Sequence, residues 1–183
     1  MKYALRAAAA SLIVASVATS AFATTARKLS NRDLAEQSEV IPIGKAVESR
    51  SAWEGRTLVT LITVTVTEKL KGDPGDTITV ALPGGIDANR RVPIAMTFAG
   101  APTMKPGEDV FLFLTREEDI SAGFVVLGFS QGKFSIVREP SGRVVVSRDL
   151  TQILLEGGTG VVPGAVTHTA LADFRAEILE YLK

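Results

Sequence analysis

The chemistry open to this chain is narrow. His168, between Thr167 and Thr169, is its one imidazole, and there is no cysteine among 183 residues. A Ser-His-Asp relay would have to recruit that single His, and no Gly-x-Ser-x-Gly elbow exposes a nucleophilic Ser. Disulfides, thiolate metal sites and Cys nucleophiles are excluded outright, as are zinc centres built on paired imidazoles. A hydrolase working through two carboxylates needs only Asp or Glu brought together by the fold. The densest acidic run is Glu117-Glu118-Asp119, where Glu118 and Asp119 would be its working pair. The run falls between two apolar segments with no sheltering apolar residues of its own, so it reads as a solvated loop.

The same run, or Asp73 with Asp76, supplies oxygen ligands for calcium but lacks the twelve-residue spacing of an EF-hand. Asp73-Pro74-Gly75-Asp76 is explained by turn formation alone. Gly157-Gly158-Thr159-Gly160 lacks the Lys and the following helix of a phosphate-binding loop and reads as a mobile connector. No catalytic residue, metal ligand or cofactor is therefore expected.

Residues suited to contact are easier to find. Trp53 sits in the turn Trp53-Glu54-Gly55, where an aromatic side chain can anchor a partner or fold back over a barrel mouth. Arg90 and Arg91 form a cationic point in a glycine-rich loop that opens with Gly84 and Gly85. Trp53, Gly84, Gly85, Arg90 and Arg91 are the candidate partner-binding set. Thr63, Thr65 and Thr67 are too short a rank for a repetitive ligand and suit a solvent-facing pleat.

The N-terminal segment has a different logic. Lys2 and Arg6 precede an apolar run over 7–17, and Ala21-Phe22-Ala23 offers small residues at both recognition positions of a signal peptidase. Cleavage between Ala23 and Thr24 is expected, with export to the periplasm or the medium. The mature chain would then hold 183 less 23, or 160, residues, enough for one domain with its own core. Of 20 basic residues, losing Lys2 and Arg6 leaves 18 against 20 acidic ones, a net charge of −2. That balance argues against a nucleic-acid footprint. No apolar run after residue 23 reaches the roughly 18 residues of a membrane span.

The elements that must position the candidate residues follow from periodicity. Residues 24–29 are polar and read as a flexible leader. Ser30-Asn31-Arg32-Asp33 is a capping-box variant that starts a short helix over 31–37. Strands are expected over 40–49, with Pro42 at a sheet edge, and over 56–70, 77–82, 92–98, 109–115, 124–129, 133–138 and 143–147. In 56–70, Leu58, Ile62, Val64 and Val66 share one face, while Val59 and Leu61 suggest that the first half is covered on both sides. Val110-Phe111-Leu112-Phe113-Leu114 has the continuous apolarity of a strand buried on both faces. Residues 83–91 read as a loop, 130–132 as a turn or bulge, and 149–156 as a brief helical turn. Thr169 is expected to cap a terminal helix to 182 with an apolar stripe of Leu171, Phe174, Ile178 and Leu182.

This order of elements resembles a known group. Gln37-Ser38-Glu39, a strand containing Gly44, a long strand ending in Glu68-Lys69-Leu70-Lys71-Gly72-Asp73, and Lys105-Pro106-Gly107-Glu108 before the apolar strand resemble uncharacterised exported bacterial proteins. More remotely, the pattern is similar to the OB-type barrels of the tissue inhibitor of metalloproteinases and netrin-like modules. The resemblance covers 38–114, with 128–137 matching the bacterial group only, and its motifs are turn and core positions. It implies a mainly β fold: an OB-like closed or partly open barrel spanning 30–183, with a short N-terminal helix and a C-terminal amphipathic helix over 169–182. Those inhibitors place an N-terminal Cys on the protease zinc, which this Cys-free chain cannot do. The expected role is a non-enzymatic binding module of the bacterial envelope with a protein partner. An inhibitor or accessory factor of an exported peptidase, and a small carboxylate hydrolase, are the alternatives.

Overall fold

The computed structural model describes residues 24–183 apart from Ala122 and Thr159. The expected signal segment and the residue before its cleavage point lie outside the described residues. The fold is mainly β. Nine strands form one strongly curled half-barrel sheet. Five of them run consecutively through it: β2 (Ile41–Glu54), β3 (Thr57–Lys71), β4 (Thr77–Pro83), then, out of chain order, β9 (Phe124–Val126) and β8 (Leu114–Thr115). On the other side of β2 the sheet continues through β7 (Asp109–Leu112), β10 (Lys133–Arg138), β11 (Val144–Asp149) and β14 (Val166–Ala170). β9 runs parallel to β4, and every other pairing in this sheet is antiparallel.

The curl has a simple cause. β7 and β8 are successive pieces of one chain segment, yet β7 pairs with β2 and β8 pairs with β9 at the sheet's far end. Leu114 closes the path by exchanging hydrogen bonds with Val40: its N–H donates to the Val40 carbonyl at 3.0 Å and its carbonyl accepts from the Val40 N–H at 3.3 Å. The alternation over 110–114 then feeds two cores. Val110, Leu112 and Leu114 face inward with Ile62, Val64, Val80 and Phe124. Phe111 and Phe113 face outward and are covered by two helices, α1 (Asn31–Gln37) and α2 (Leu171–Tyr181).

α1 starts at Ser30, whose Oγ accepts from the Asp33 N–H at 3.1 Å while the Asp33 carboxylate accepts from the Ser30 N–H at 2.8 Å. This reciprocal pair satisfies two donors that a helix start would otherwise leave open. α2 begins differently from the sequence expectation. Thr169 belongs to β14, paired with Val146, and Ala170 occupies the N-cap position without a side-chain bond. The β-ladder holds Thr169 in place of a cap, and the stripe Leu171, Phe174, Ile178 and Leu182 still docks on the outer core.

Other expectations are corrected. Within the supposed leader, Thr24–Arg27 is strand β1, parallel to β12 (Ile153–Gly157). The supposed helical turn over 149–156 divides into the end of β11 and β12. Its helix-like start is an Asx turn, in which Asp149 Oδ1 accepts from the Thr151 N–H at 2.9 Å and hydroxyl at 2.7 Å. β12 also pairs with β13 (Gly160–Pro163), so the glycine-rich connector joins two strands. Pro42 is in a central strand, since β2 lies between β3 and β7; a register irregularity between Ile41 and Pro42 absorbs its missing donor. Trp53 lies inside β2, and the turn that follows is made by Gly55 at φ 57°.

Candidate functional site

The β2–β3 hairpin is the longest in the molecule, and a second hairpin lies against its tip. In this one, β5 (Gly85–Asp87) occupies the region expected as a loop, and its partner β6 (Ile94–Met96) lies within the strand expected over 92–98. Its attachment is polar and close. The Gly84 N–H donates to the Leu58 carbonyl at 2.9 Å, Thr60 Oγ1 donates to the Gly84 carbonyl at 2.7 Å, and the Ile86 N–H donates to Ser51 Oγ at 2.9 Å. Gly84 has φ 94°, and a Cβ there would stand 2.7 Å from the Met96 carbonyl oxygen; one on Gly85 would stand 2.8 Å from Ser51 Oγ. Both glycines are demanded by this approach.

Trp53 and Arg90 meet on a residue absent from the candidate set. The Trp53 indole N–H donates to Asp87 Oδ2 at 2.8 Å, and Arg90 Nε donates to the same oxygen at 2.9 Å. The Arg90 guanidinium lies 5.2 Å from the Trp53 ring centre, within range of a cation–π contact. Asp87 Oδ1 accepts from the Asn89 N–H, closing the turn. The Asp87 carboxyl is held below its ordinary range, first by the Trp53 N–H and then by Arg90, so it stays ionised and the assembly stays tied at neutral pH. Trp53 is 37% exposed, beside a hairpin on which Ile86 and Val92 are 62% and 73% exposed. Arg91 is exposed and has no ion-pair partner among the described residues. Ile86, Asp87 and Val92 are the parts of this surface that the sequence reading missed. Two apolar residues in a glycine- and charge-rich segment were the available signal.

A concavity of about 610 Å³ adjoins this end. Val59, Ala81 and Val125, from β3, β4 and β9, line it together with Ile120, and Leu61 and Ala52 pack with these residues. This fits the expectation that the start of β3 is covered on both faces. The cover comes from the segment after β8, which is fastened to the β2–β3 tip: the Ser121 N–H and Oγ donate to Glu54 Oε2 at 3.2 and 3.0 Å. The acidic run lies on this segment. Glu117, Glu118 and Asp119 are exposed, and Glu117 and Asp119 line the concavity.

Asp73 and Asp76 both accept from Lys69 Nζ, at 2.7 and 3.3 Å. His168 is exposed on β14 opposite Ser147. No group of three or more His, Asp or Glu among the described residues could hold a metal ion. Lys133, Ser135 and Glu108 come closest to a catalytic constellation: Lys133 Nζ donates to Glu108 and to Ser135 Oγ, and Ser135 Oγ donates to Glu108 Oε1 at 2.7 Å. Burial by itself raises the Glu108 pKa, but the bonds from Lys133 and Ser135 outweigh it and hold the carboxyl below its ordinary range. A carboxylate so stabilised is a weak base.

This cluster therefore predicts a stability effect. Glu108→Gln should cost about 1–3 kcal/mol at neutral pH, below the value for a fully buried pair because both side chains keep some solvent. Since the folded-state pKa is the lower one, the wild-type advantage is full above the ordinary Glu range and disappears as pH falls through the depressed value. Urea unfolding of the two proteins across that range checks it; a gap that is constant with pH would contradict the assignment.

No protein-family model, curated protein or solved structure matches the chain.

Proposed function

We propose that this protein is an exported, non-enzymatic binding module of the bacterial envelope, and that it holds a protein partner through Trp53 and the β5–β6 hairpin. The observation that carries the reading is the fixing of Trp53 by Asp87 and Arg90 beside the exposed side chains of Ile86 and Val92. An aromatic side chain held in one orientation loses little freedom on binding, and Trp and Arg are the residue types that dominate protein interfaces. Neighbouring apolar groups supply area to bury. The charged and aromatic mixture, on a chain whose mature part is mildly acidic, suits a protein surface better than a phosphate backbone. Export is supported by the character of residues 1–23.

The barrel reading belongs to the same proposal. The path β2-β3-β4-β9-β8, its parallel β4–β9 pairing and the bridge from Leu114 back to Val40 fit a five-stranded OB-like barrel, extended at β7 by β10, β11 and β14.

Affinity capture of the full protein from envelope extracts would identify the partner, whose binding is then measured on purified components. Trp53→Ala with Arg91→Ala should weaken it at least roughly tenfold, with the cooperativity of thermal unfolding retained. Unchanged affinity would overturn the reading. If the partner is an exported peptidase, its turnover in the presence of the wild-type protein separates an inhibitor from a passive binder.

A further inference from the structure

We infer that the concavity over β3, β4 and β9 is a second binding site, one that takes an amphiphilic cation: an apolar chain carrying an ammonium or guanidinium head. The site is separate from the Trp53 surface, and the inference does not depend on that surface having a partner. Three observations carry it. The volume, about 610 Å³, falls within the range of small-ligand sites, roughly 300–1,000 Å³. Its walls are largely apolar, with Val59, Ala81, Pro83, Phe98, Val125 and Leu127 among them. The charged side chains lining it are Glu117 and Asp119 alone, and neither carboxylate has an ion-pair partner among the described residues; the nearby Arg116 is turned to Glu39 and the Phe124 ring.

That combination selects by charge. An apolar chain entering the concavity removes its surface from water, a gain that does not depend on the head group. The head then lies at a rim with two uncompensated negative charges, where a cation is attracted and an anion repelled. Phe98, 40% exposed and lining the concavity, adds an aromatic ring of the kind that favours a cationic head. A neutral or anionic amphiphile meets the same walls without the second contribution.

Decylammonium, decanoate and tetramethylammonium, each titrated below any micellar concentration into the full-length protein by calorimetry, separate these contributions. Decylammonium should bind at least roughly tenfold more tightly than decanoate, tetramethylammonium should show no measurable binding, and added salt should narrow the gap. Glu117→Gln with Asp119→Asn changes exposed side chains and leaves the fold alone; it should bring decylammonium down to the level of decanoate. Phe98→Ala should weaken decylammonium and leave Trp53-dependent partner binding intact. Equal binding of the two chains by the wild-type protein, discrimination that survives the double substitution, or no binding of either chain would each overturn the inference.

Discussion

Phe174→Ala is expected to cost about 3–5 kcal/mol, a large share of the roughly 5–15 kcal/mol that holds a domain of this size. Phe174 is buried at the meeting point of four rings, with centroids 4.7 Å from Phe134, 5.0 Å from Phe111 and 6.3 Å from Phe113. These separations, several of them with edge-to-face or tilted planes, are the favoured ones for aromatic packing. Phe174 is also the main anchor of α2, an eleven-residue helix too short to persist without tertiary contacts. Truncation should both open a cavity and loosen the helix, so the protein melts earlier and loses helical dichroism below the main transition. Phe98→Ala, in an exposed position, is the matched control and should change stability by less than about 1 kcal/mol. A loss below that level for Phe174→Ala would contradict the packing described.

Gln131→Leu is expected to cost about 2–5 kcal/mol and to release the N-terminal strand first. The side chain is buried, and its amide joins segments distant in sequence: Oε1 accepts from the Leu29 N–H at 2.8 Å, while Nε2 donates to the Arg27 carbonyl at 2.8 Å and the Gly128 carbonyl at 3.2 Å. Leucine fills similar space but leaves these backbone groups unmatched, at roughly 1–3 kcal/mol for each that stays buried. β1 then keeps its pairing to β12 and the bond from Thr24 Oγ1 to the Ala99 carbonyl. Amide exchange should therefore accelerate over 24–29 and 153–156 before it does in β3 or β7. Unchanged exchange over 24–29 would show that Gln131 does not hold this segment.

Gln131 also marks where sequence reasoning stops. The strand over 109–115 was legible because apolar residues on both faces leave a continuous run, and β10 was legible over 133–138 because turn residues bracket it. Ser130-Gln131-Gly132 reads as a turn or bulge, and nothing local says that its amide is internal. β1 and the parallel partner it finds in β12 are equally opaque: each is short, and the pairing depends on a chain path that only the whole fold fixes. At the candidate site, Trp53 and Arg90 stand out by residue type. Asp87, which joins them, looks like any loop carboxylate, since its function is a contact across 34 residues. Gly84 and Gly85 stand out as well, but for packing reasons, because backbone clearance and partner contact leave the same mark in a single sequence.

The proposed partner surface is tested most directly by a photo-crosslinking amino acid placed at Val92 or Ile86 in the full-length protein in living bacteria. Both positions are exposed, on the hairpin that bonds from the Gly84 and Ile86 N–H groups fasten to the half-barrel sheet. A discrete adduct of one protein is expected at either position, lost when Trp53→Ala is added, and absent from a probe at exposed Val137 on the opposite arm of the sheet. The same adducts with Trp53 removed, or none from either hairpin position, would contradict the proposed surface.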